Sequence, residues 1–416
     1  MSTDIADSRK ARLLKKAGEK ALIQDLKVID NLRERSDFSP ALDYFLKLME
    51  NGRTPAAVAE RVQKPLVALL CVQAPLEMLH ALGLHPYKIF SGSYAAGQLS
   101  AQNLPALMCP MLRSVLGVLQ MDAGFKGFKA WVLPTTCDWV VKFPEMMALC
   151  DGGIDEKALH WVELPHIKDN DQSQKRWLEE VYKLRDFFEG LGDLKLKRKK
   201  LMAAIEIYQK AWAALSRLRE LRRQGKVPAV WAVLIANCFF LDDVENWTGA
   251  LEQVLPAFEQ NTPREGRVFL AGSPIYFPNY KMLKLMDDAG LNAVADDLCS
   301  SERIFPGGIT YTDSSEFGLL SALAQRYHQG CLCPTFSDNE RRVNNIINPT
   351  QKHLIDGVVF QVLKGCHPYD LESFTMELKL KDHGLKFIKL ETDYTAEDSQ
   401  NLLTRLEAYR HNLNGC

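Results

Sequence analysis

Phe128-Lys129-Ala130-Trp131-Val132-Leu133-Pro134-Thr135-Thr136-Cys137-Asp138 is a short apolar run that stops at a proline and crosses two threonines to a cysteine. A run of this length, closed by proline, reads as a buried strand with the cysteine just past its carboxyl end. The same pattern lies on either side. Upstream, Leu66–Val72 is a continuous apolar run containing Cys71, and Pro75–Leu84 has helical apolar spacing that closes near Gly83. Downstream, Leu159–Leu164 ends at Pro165. Strands that are apolar throughout and alternate with helices predict a parallel sheet covered on both faces.

The pattern returns later in the chain. Arg267–Ala271 leads into Gly272-Ser273-Pro274, Asn292–Ala295 into Asp296-Asp297-Leu298-Cys299, Val358–Leu363 into Cys366, and Phe387–Leu390 into Glu391-Thr392-Asp393. A helix started by Thr395 or Asp398 follows. Between the two α/β regions, Trp177, Val181, Leu184 and Phe188 share one helical face, and Leu201, Ile205, Tyr208, Trp212 and Leu215 share another. Residues 1–60 are also helical in pattern, with apolar positions such as Leu42, Phe45, Leu46 and Met49. The expected organisation is an N-terminal helical segment (1–60), a first α/β domain (61–167), a helical insert (168–262) and a second α/β domain (263–416). Both α/β domains are expected to be doubly wound parallel sheets of the Rossmann or flavodoxin-like kind.

Composition narrows the function. With 51 Lys+Arg against 52 Asp+Glu in 416 residues, the formal net charge is -1, which argues against nucleic acid or an anionic membrane as the main partner. The N-terminus has no apolar core or cleavage pattern of a secretory signal. The longest nearly apolar run, Val227–Leu241, is too short to span a bilayer. A cytoplasmic protein is expected, where structural disulfides are rare. Two basic runs, Lys195–Lys200 and Arg217–Lys226, read as solvated helix faces, with a docking face for an acidic protein as the alternative.

The ten cysteines are Cys71, Cys109, Cys137, Cys150, Cys238, Cys299, Cys331, Cys333, Cys366 and Cys416. No CxxC pair marks a zinc ribbon or a thioredoxin-like motif, and Cys331-Leu-Cys333 is the one close pair. Cys137, Cys299 and Cys366 follow strands, where ligands of open parallel sheets bind. Cys109 and Cys366 precede helices, and the free N–H groups there lower a thiol pKa and stabilise an anion. A closed zinc site favours two close pairs, so ligation of an iron–sulfur cluster fits the spacing better. Cys150 and Cys238 read as core residues and Cys416 as incidental.

Several segments resemble the 2-hydroxyacyl-CoA dehydratase and benzoyl-CoA reductase superfamily. They are Ala74-Pro75-Leu76-Glu77-Met78-Leu79-His80-Ala81-Leu82-Gly83, Cys109-Pro110-Met111-Leu112-Arg113-Ser114, Pro134-Thr135-Thr136-Cys137-Asp138, Ala271-Gly272-Ser273-Pro274, Glu391-Thr392-Asp393 and Thr404-Arg405-Leu406-Glu407-Ala408. The resemblance implies that Cys109, Cys137 and Cys366 hold one [4Fe-4S] cubane. Tyr327-His328-Gln329-Gly330-Cys331-Leu332-Cys333 with Ser337-Asp338-Asn339-Glu340-Arg341, and Gly365-Cys366-His367-Pro368-Tyr369-Asp370-Leu371-Glu372-Ser373, resemble the double-cubane branch. That branch implies two cubanes bridged by sulfide, an [Fe8S9] cluster, with Cys299, Cys331 and Cys333 completing the ligands and Cys71 as the alternative to Cys299.

The resemblance further implies a homodimeric reductase of small substrates, fed with electrons by a separate ATP-hydrolysing iron–sulfur activator. The chain itself has no GxxxxGK[ST] loop, in keeping with ATP being used on a partner. His367 and Glu77 are candidate proton donors. Asp138 is a weaker one whose ordinary role is to cap the next helix. Two alternatives are a single-cubane subunit of a 2-hydroxyacyl-CoA dehydratase, which requires a different partner subunit, and a non-catalytic cluster scaffold.

Overall fold

The computed structural model describes residues 2–72, 74–101, 104–121, 127–150, 153–168, 170–304, 307–337 and 340–414. Cys416 and the Asp338-Asn339 pair lie outside the described residues. Eight strands form two parallel four-stranded sheets. In the first, β1 (Leu66–Leu69), β2 (His85–Lys88), β3 (Phe128–Pro134) and β4 (Leu159–Val162) stand in the order β2-β1-β3-β4. In the second, β5 (Arg267–Gly272), β6 (Asn292–Asp296), β7 (Gly357–Leu363) and β8 (Lys386–Thr392) stand as β6-β5-β7-β8. The two orders are the same, and in each the chain reverses direction across the sheet between its first and third strands. A crevice opens beyond the carboxyl ends of strands at such a point.

The apolar runs form these strands because both faces are covered. Every residue of β1, β6 and β7 is buried. The first-sheet core is continuous with the helices between the two sheets and with one face of the second sheet, taking in Val67, Leu116, Trp131, Ile205, Trp231, Leu251 and Val359. A separate cluster of Phe269, Val294, Ile346, Val358, Phe360 and Met376 covers the other face of the second sheet.

Three sequence expectations change. β1 ends at Leu69 because its ladder to β2 pairs only Leu66–Leu69 with His85–Lys88. Cys71 therefore lies beyond the strand and is half-buried, not inside the sheet. The second strand of the first sheet has no counterpart in the sequence expectation. Finally, the basic run Arg217–Lys226 is not simply a solvated face. The helix Arg198–Arg223 turns Arg222 fully inward, where it pairs with Asp296, and Arg223 pairs with Glu302 at 2.7 Å. These guanidiniums fasten the helical segment to the loop that follows β6. Lys195 and Lys197–Lys200 are exposed, as expected.

Candidate functional site

The loops at the carboxyl ends of the two sheets bring seven of the cysteines near one another. The first group is Cys109, Cys137 and Cys366. Cys109 immediately precedes the helix Pro110–Met121, Cys137 caps the short helix Asp138–Val141, and Cys366 caps His367–Asp382. Asp138 is thus the first helical residue, and the cap position belongs to Cys137. Gly365 ties the three loops together. Its φ of 77° is the left-handed region open to glycine, and a Cβ there would collide with the Leu107 carbonyl two residues before Cys109. The Gly365 carbonyl accepts a 3.1 Å hydrogen bond from Trp139 Nε1, two residues after Cys137.

Backbone N–H groups point at all three sulfurs, from Met111 and Leu112 to Cys109, from Val140 and Trp139 to Cys137, and from Tyr369 to Cys366. Cys109 and Cys366 share a hydrogen bond. It holds the Cys109 thiol below its ordinary range and Cys366 above. Burial pushes Cys137 up to about 11. The Ser273 hydroxyl bonds Cys366 and also accepts from Leu363 N at 3.0 Å. Tyr394, whose hydroxyl is buried with no hydrogen-bond partner among the described residues, faces Cys109 and Cys366.

The second group is Cys71, Cys299, Cys331 and Cys333. Cys333 faces Cys299, Cys71 and, across the crevice, Cys137 of the first group. Cys331 terminates the helix Glu316–Gly330 and faces Cys333 and Cys71. Burial pushes Cys71 up to about 12 and raises Cys331 and Cys333. The Tyr276 hydroxyl bonds Cys299.

Three cations, Lys88 and Lys168 buried and Arg303 part-buried, surround this second group. Lys88, the last residue of β2, is 3% exposed, faces Cys299 and Cys71, and donates to the Cys299 carbonyl at 2.7 Å. Its ammonium lies 5.1 Å from the centroid of the Tyr276 ring. Arg303 faces Cys299 and Cys333 and donates to the Tyr369 hydroxyl at 2.7 Å and to the Asp297 and Leu332 carbonyls. Lys168 donates to the Cys331 carbonyl. The sequence reading missed Lys88, Arg303, Lys168, Tyr276 and Tyr394, because nothing local to a lone lysine or arginine announces that a fold will bury it.

The two candidate proton donors sit differently. His367, beside Cys366, is exposed. Glu77 is fully buried on the helix Leu76–Ala81, paired to Arg326 at 2.5 Å and accepting from the Tyr327 hydroxyl at 3.1 Å. Cys150 and Cys238 are buried away from the crevice, and Cys238 Sγ donates to the Phe45 carbonyl at 3.4 Å.

These residues fit an iron–sulfur cluster. Among the described residues, no three His, Cys, Asp or Glu side chains close on a point as a single ion requires. The thiols stand near one another in two groups, and ligands to several metal atoms are spread in this way. Burial keeps most of them protonated until a metal displaces the proton. The N–H donors aimed at sulfur, the orphaned Tyr394 hydroxyl and the buried cations all suit an anionic group.

A two-domain parallel α/β fold with cysteines gathered at the strand ends defines the class. The sequence matches the 2-hydroxyglutaryl-CoA dehydratase D-component family over residues 71–413, and the chain belongs to that family. Among its relatives is an Escherichia coli (strain K12) protein, YjiM, whose name carries a provisional dehydratase-subunit assignment. It is 25% identical over 389 residues, covering 90% of this chain and 98% of the relative. The beta subunit of (R)-2-hydroxyglutaryl-CoA dehydratase from Acidaminococcus fermentans is 20% identical, covering 90% and 99%. The beta subunit of lactoyl-CoA dehydratase from Anaerotignum propionicum is 21% identical, covering 83% and 91%. Among the described residues no helix is long and apolar enough to cross a membrane.

Proposed function

We propose that this chain is an iron–sulfur reductase of small substrates carrying a double-cubane [Fe8S9]-type cluster. In this reading Cys109, Cys137 and Cys366 hold one cubane and Cys299, Cys331 and Cys333 the other. Electrons come from a separate ATP-hydrolysing iron–sulfur activator protein, and the chain works as a homodimer. The observation that carries the reading is the presence of two thiol groups, of three and four members, in one crevice. One cubane would leave the second group, with its buried cations, without a purpose.

When bound, such a cluster supplies one-electron reduction at low potential. The chain's own residues do the rest. Helix-terminal N–H groups of Met111, Leu112, Trp139, Val140 and Tyr369 orient the thiolates. Apolar side chains such as Leu363 and Trp139 pack against Cys109 and Cys366 and keep water from them. His367, exposed beside Cys366, is the proposed proton donor to substrate. Glu77 holds Arg326 and Tyr327 of the helix that ends at Cys331.

The names of the relatives favour a second reading, a one-cubane subunit of a 2-hydroxyacyl-CoA dehydratase working with a different partner subunit. Iron and acid-labile sulfide in the anaerobically purified protein separate the two. About eight irons per chain supports the double cubane, about four supports the dehydratase subunit, and none overturns both.

A further inference from the structure

Lys88 is a buried cation and Arg303 a part-buried one, and among the described residues no carboxylate lies within ion-pair distance of either. Lys88 has a carbonyl and the rings of Phe240 and Tyr276 as partners. Arg303 has carbonyls and the Tyr369 hydroxyl. The carboxylate that acts on Arg303 belongs to Asp297, and it is already engaged by Arg342 at 2.6 Å. Arg342 is paired a second time, to Glu372. Lys88 and Arg303 also repel one another. Arg303 and Arg342 thus share the two carboxylates of Asp297 and Glu372, whereas Lys88 has none, and an unbalanced charge in a protein interior is costly unless an anion faces it. What Lys88 and Arg303 both face is Cys299, with Cys71 on the Lys88 side and Cys333 on the Arg303 side.

The other group is built differently. The groups acting most strongly on Cys109, Cys137 and Cys366 are one another, Cys333, the Ser273 hydroxyl and backbone N–H dipoles. Dipoles stabilise thiolate but carry no net charge to offset an added electron, whereas a full positive charge at close range in a low-dielectric site does. The two sides of the crevice therefore differ in kind.

We propose that Lys88 and Arg303 make the Cys299–Cys331–Cys333 side the electron-accepting end of the site. The inference rests on the double-cubane reading. An electron from a low-potential one-electron donor, a reduced iron–sulfur protein that is itself oxidised by one electron, enters the crevice. A cluster held by Cys299, Cys331 and Cys333 would keep that electron beside Lys88 and Arg303. No bond is made or broken and no proton moves in that transfer. Lys88 and Arg303 act as positioning residues, through charge and without touching substrate.

The test is an anaerobic potentiometric titration followed by electron paramagnetic resonance, with iron and sulfide measured on every sample. Lys88→Met and Arg303→Gln are each expected to keep the wild-type iron content and move the higher-potential reduction step downward. Lys88→Arg and Arg303→Lys should restore it. Ser273→Ala, beside Cys366, should move chiefly the lower-potential step. A higher-potential step unmoved by Arg303→Gln or Lys88→Met at full iron content overturns the inference while leaving the double cubane intact. So does a higher-potential step that moves only with Ser273→Ala. If one variant fails to fold, the other carries the same test. About four irons and a single step in the wild type instead overturn the reading on which the inference rests.

Discussion

The two sheets share a strand order but not a chemistry at their carboxyl ends. The loops after the third strands, β3 and β7, each supply one cysteine, Cys137 and Cys366, and both cap helices. The loops after the second strands diverge. β2 ends in Lys88, and β6 leads to Cys299 and Arg303, so a cation from the first domain meets a thiol and a cation from the second. The repeated position builds a thiol group held by dipoles, and the divergent position builds one held by charge. A repeated strand order can thus place two thiol groups side by side and still make them inequivalent.

The most severe test of this contrast falls at the repeated position. Gly365→Val forces a side chain into the Leu107 carbonyl at a left-handed φ and pulls apart the loops of Cys109, Cys137 and Cys366. Roughly half the iron should be lost, about four atoms per chain if two cubanes are present, with the second group retained. Cys366→Ser and Cys333→Ser should each give a similar loss from opposite groups, read by iron analysis. Unchanged iron in either variant removes that thiol from the ligand set.

The divergent position is anchored by the buried Arg222–Asp296 pair and by Glu302. Arg222→Met leaves two carboxylates without their shared cation. A loss of about 3–5 kcal/mol is expected in denaturant unfolding. Hydrogen exchange should show the loosening at residues 296–304, at the end of the second sheet. Loosening confined to the first sheet would contradict the assignment.

Much of the fold is legible in the sequence, for a physical reason. β3, β5, β6 and β7 are largely apolar runs because each is packed on one or both faces, whereas in the edge strand β8 only Leu390 and Thr392 are buried. β2 is not legible. His85-Pro86-Tyr87-Lys88 has no apolar alternation and contains a proline, which an edge strand tolerates because one side of its ladder is unpaired. To miss β2 is also to miss Lys88. The first thiol group can be assembled from strand ends, helix starts and family resemblance. The cations of the second group cannot, because burial of Arg303 or Arg222 is decided by partners 6 to 80 residues away. The position of Cys71 is hidden for a related reason, since the length of β1 is set by its partner and not by its own apolar run.

The two domains should also part company in acid. His85 in β2 is held neutral by burial, with its pKa pushed down to about 4, and its Nε2 lies 3.1 Å from the Phe240 carbonyl. An unfolded histidine titrates near 6.5, so the unfolded chain binds the extra proton first. The stability His85 contributes is therefore complete above pH ~6.5 and lost as pH falls toward ~4, a change of about 3 kcal/mol. Asp393 at the end of β8 behaves otherwise. Burial pushes it up, but hydrogen bonds from Thr395 and Lys364 hold it down to about 2. Its contribution persists to below pH ~4. Unfolding free energies measured from pH 7 to 4 should fall, and His85→Gln should flatten that slope. A slope unaffected by the substitution would place the acid sensitivity elsewhere.

A slighter effect separates a helix that serves the crevice from one that does not. Ser315 caps the helix Glu316–Gly330, accepting from Gly318 N at 3.0 Å, and Thr54 caps Pro55–Val62, accepting from Ala57 N at 3.2 Å. Replacing either by alanine removes one helix-end acceptor and should cost about 1 kcal/mol. The global cost is thus matched, but the consequence is not. The Ser315 helix delivers Tyr327 and Cys331, so fraying it should increase iron loss to a chelator from the charged thiol group. Thr54→Ala should leave that loss at the wild-type rate. Equal chelation rates in the two variants would mean that Cys331 is fixed by the crevice itself, with Lys168 at its carbonyl, and not by the helix that leads to it.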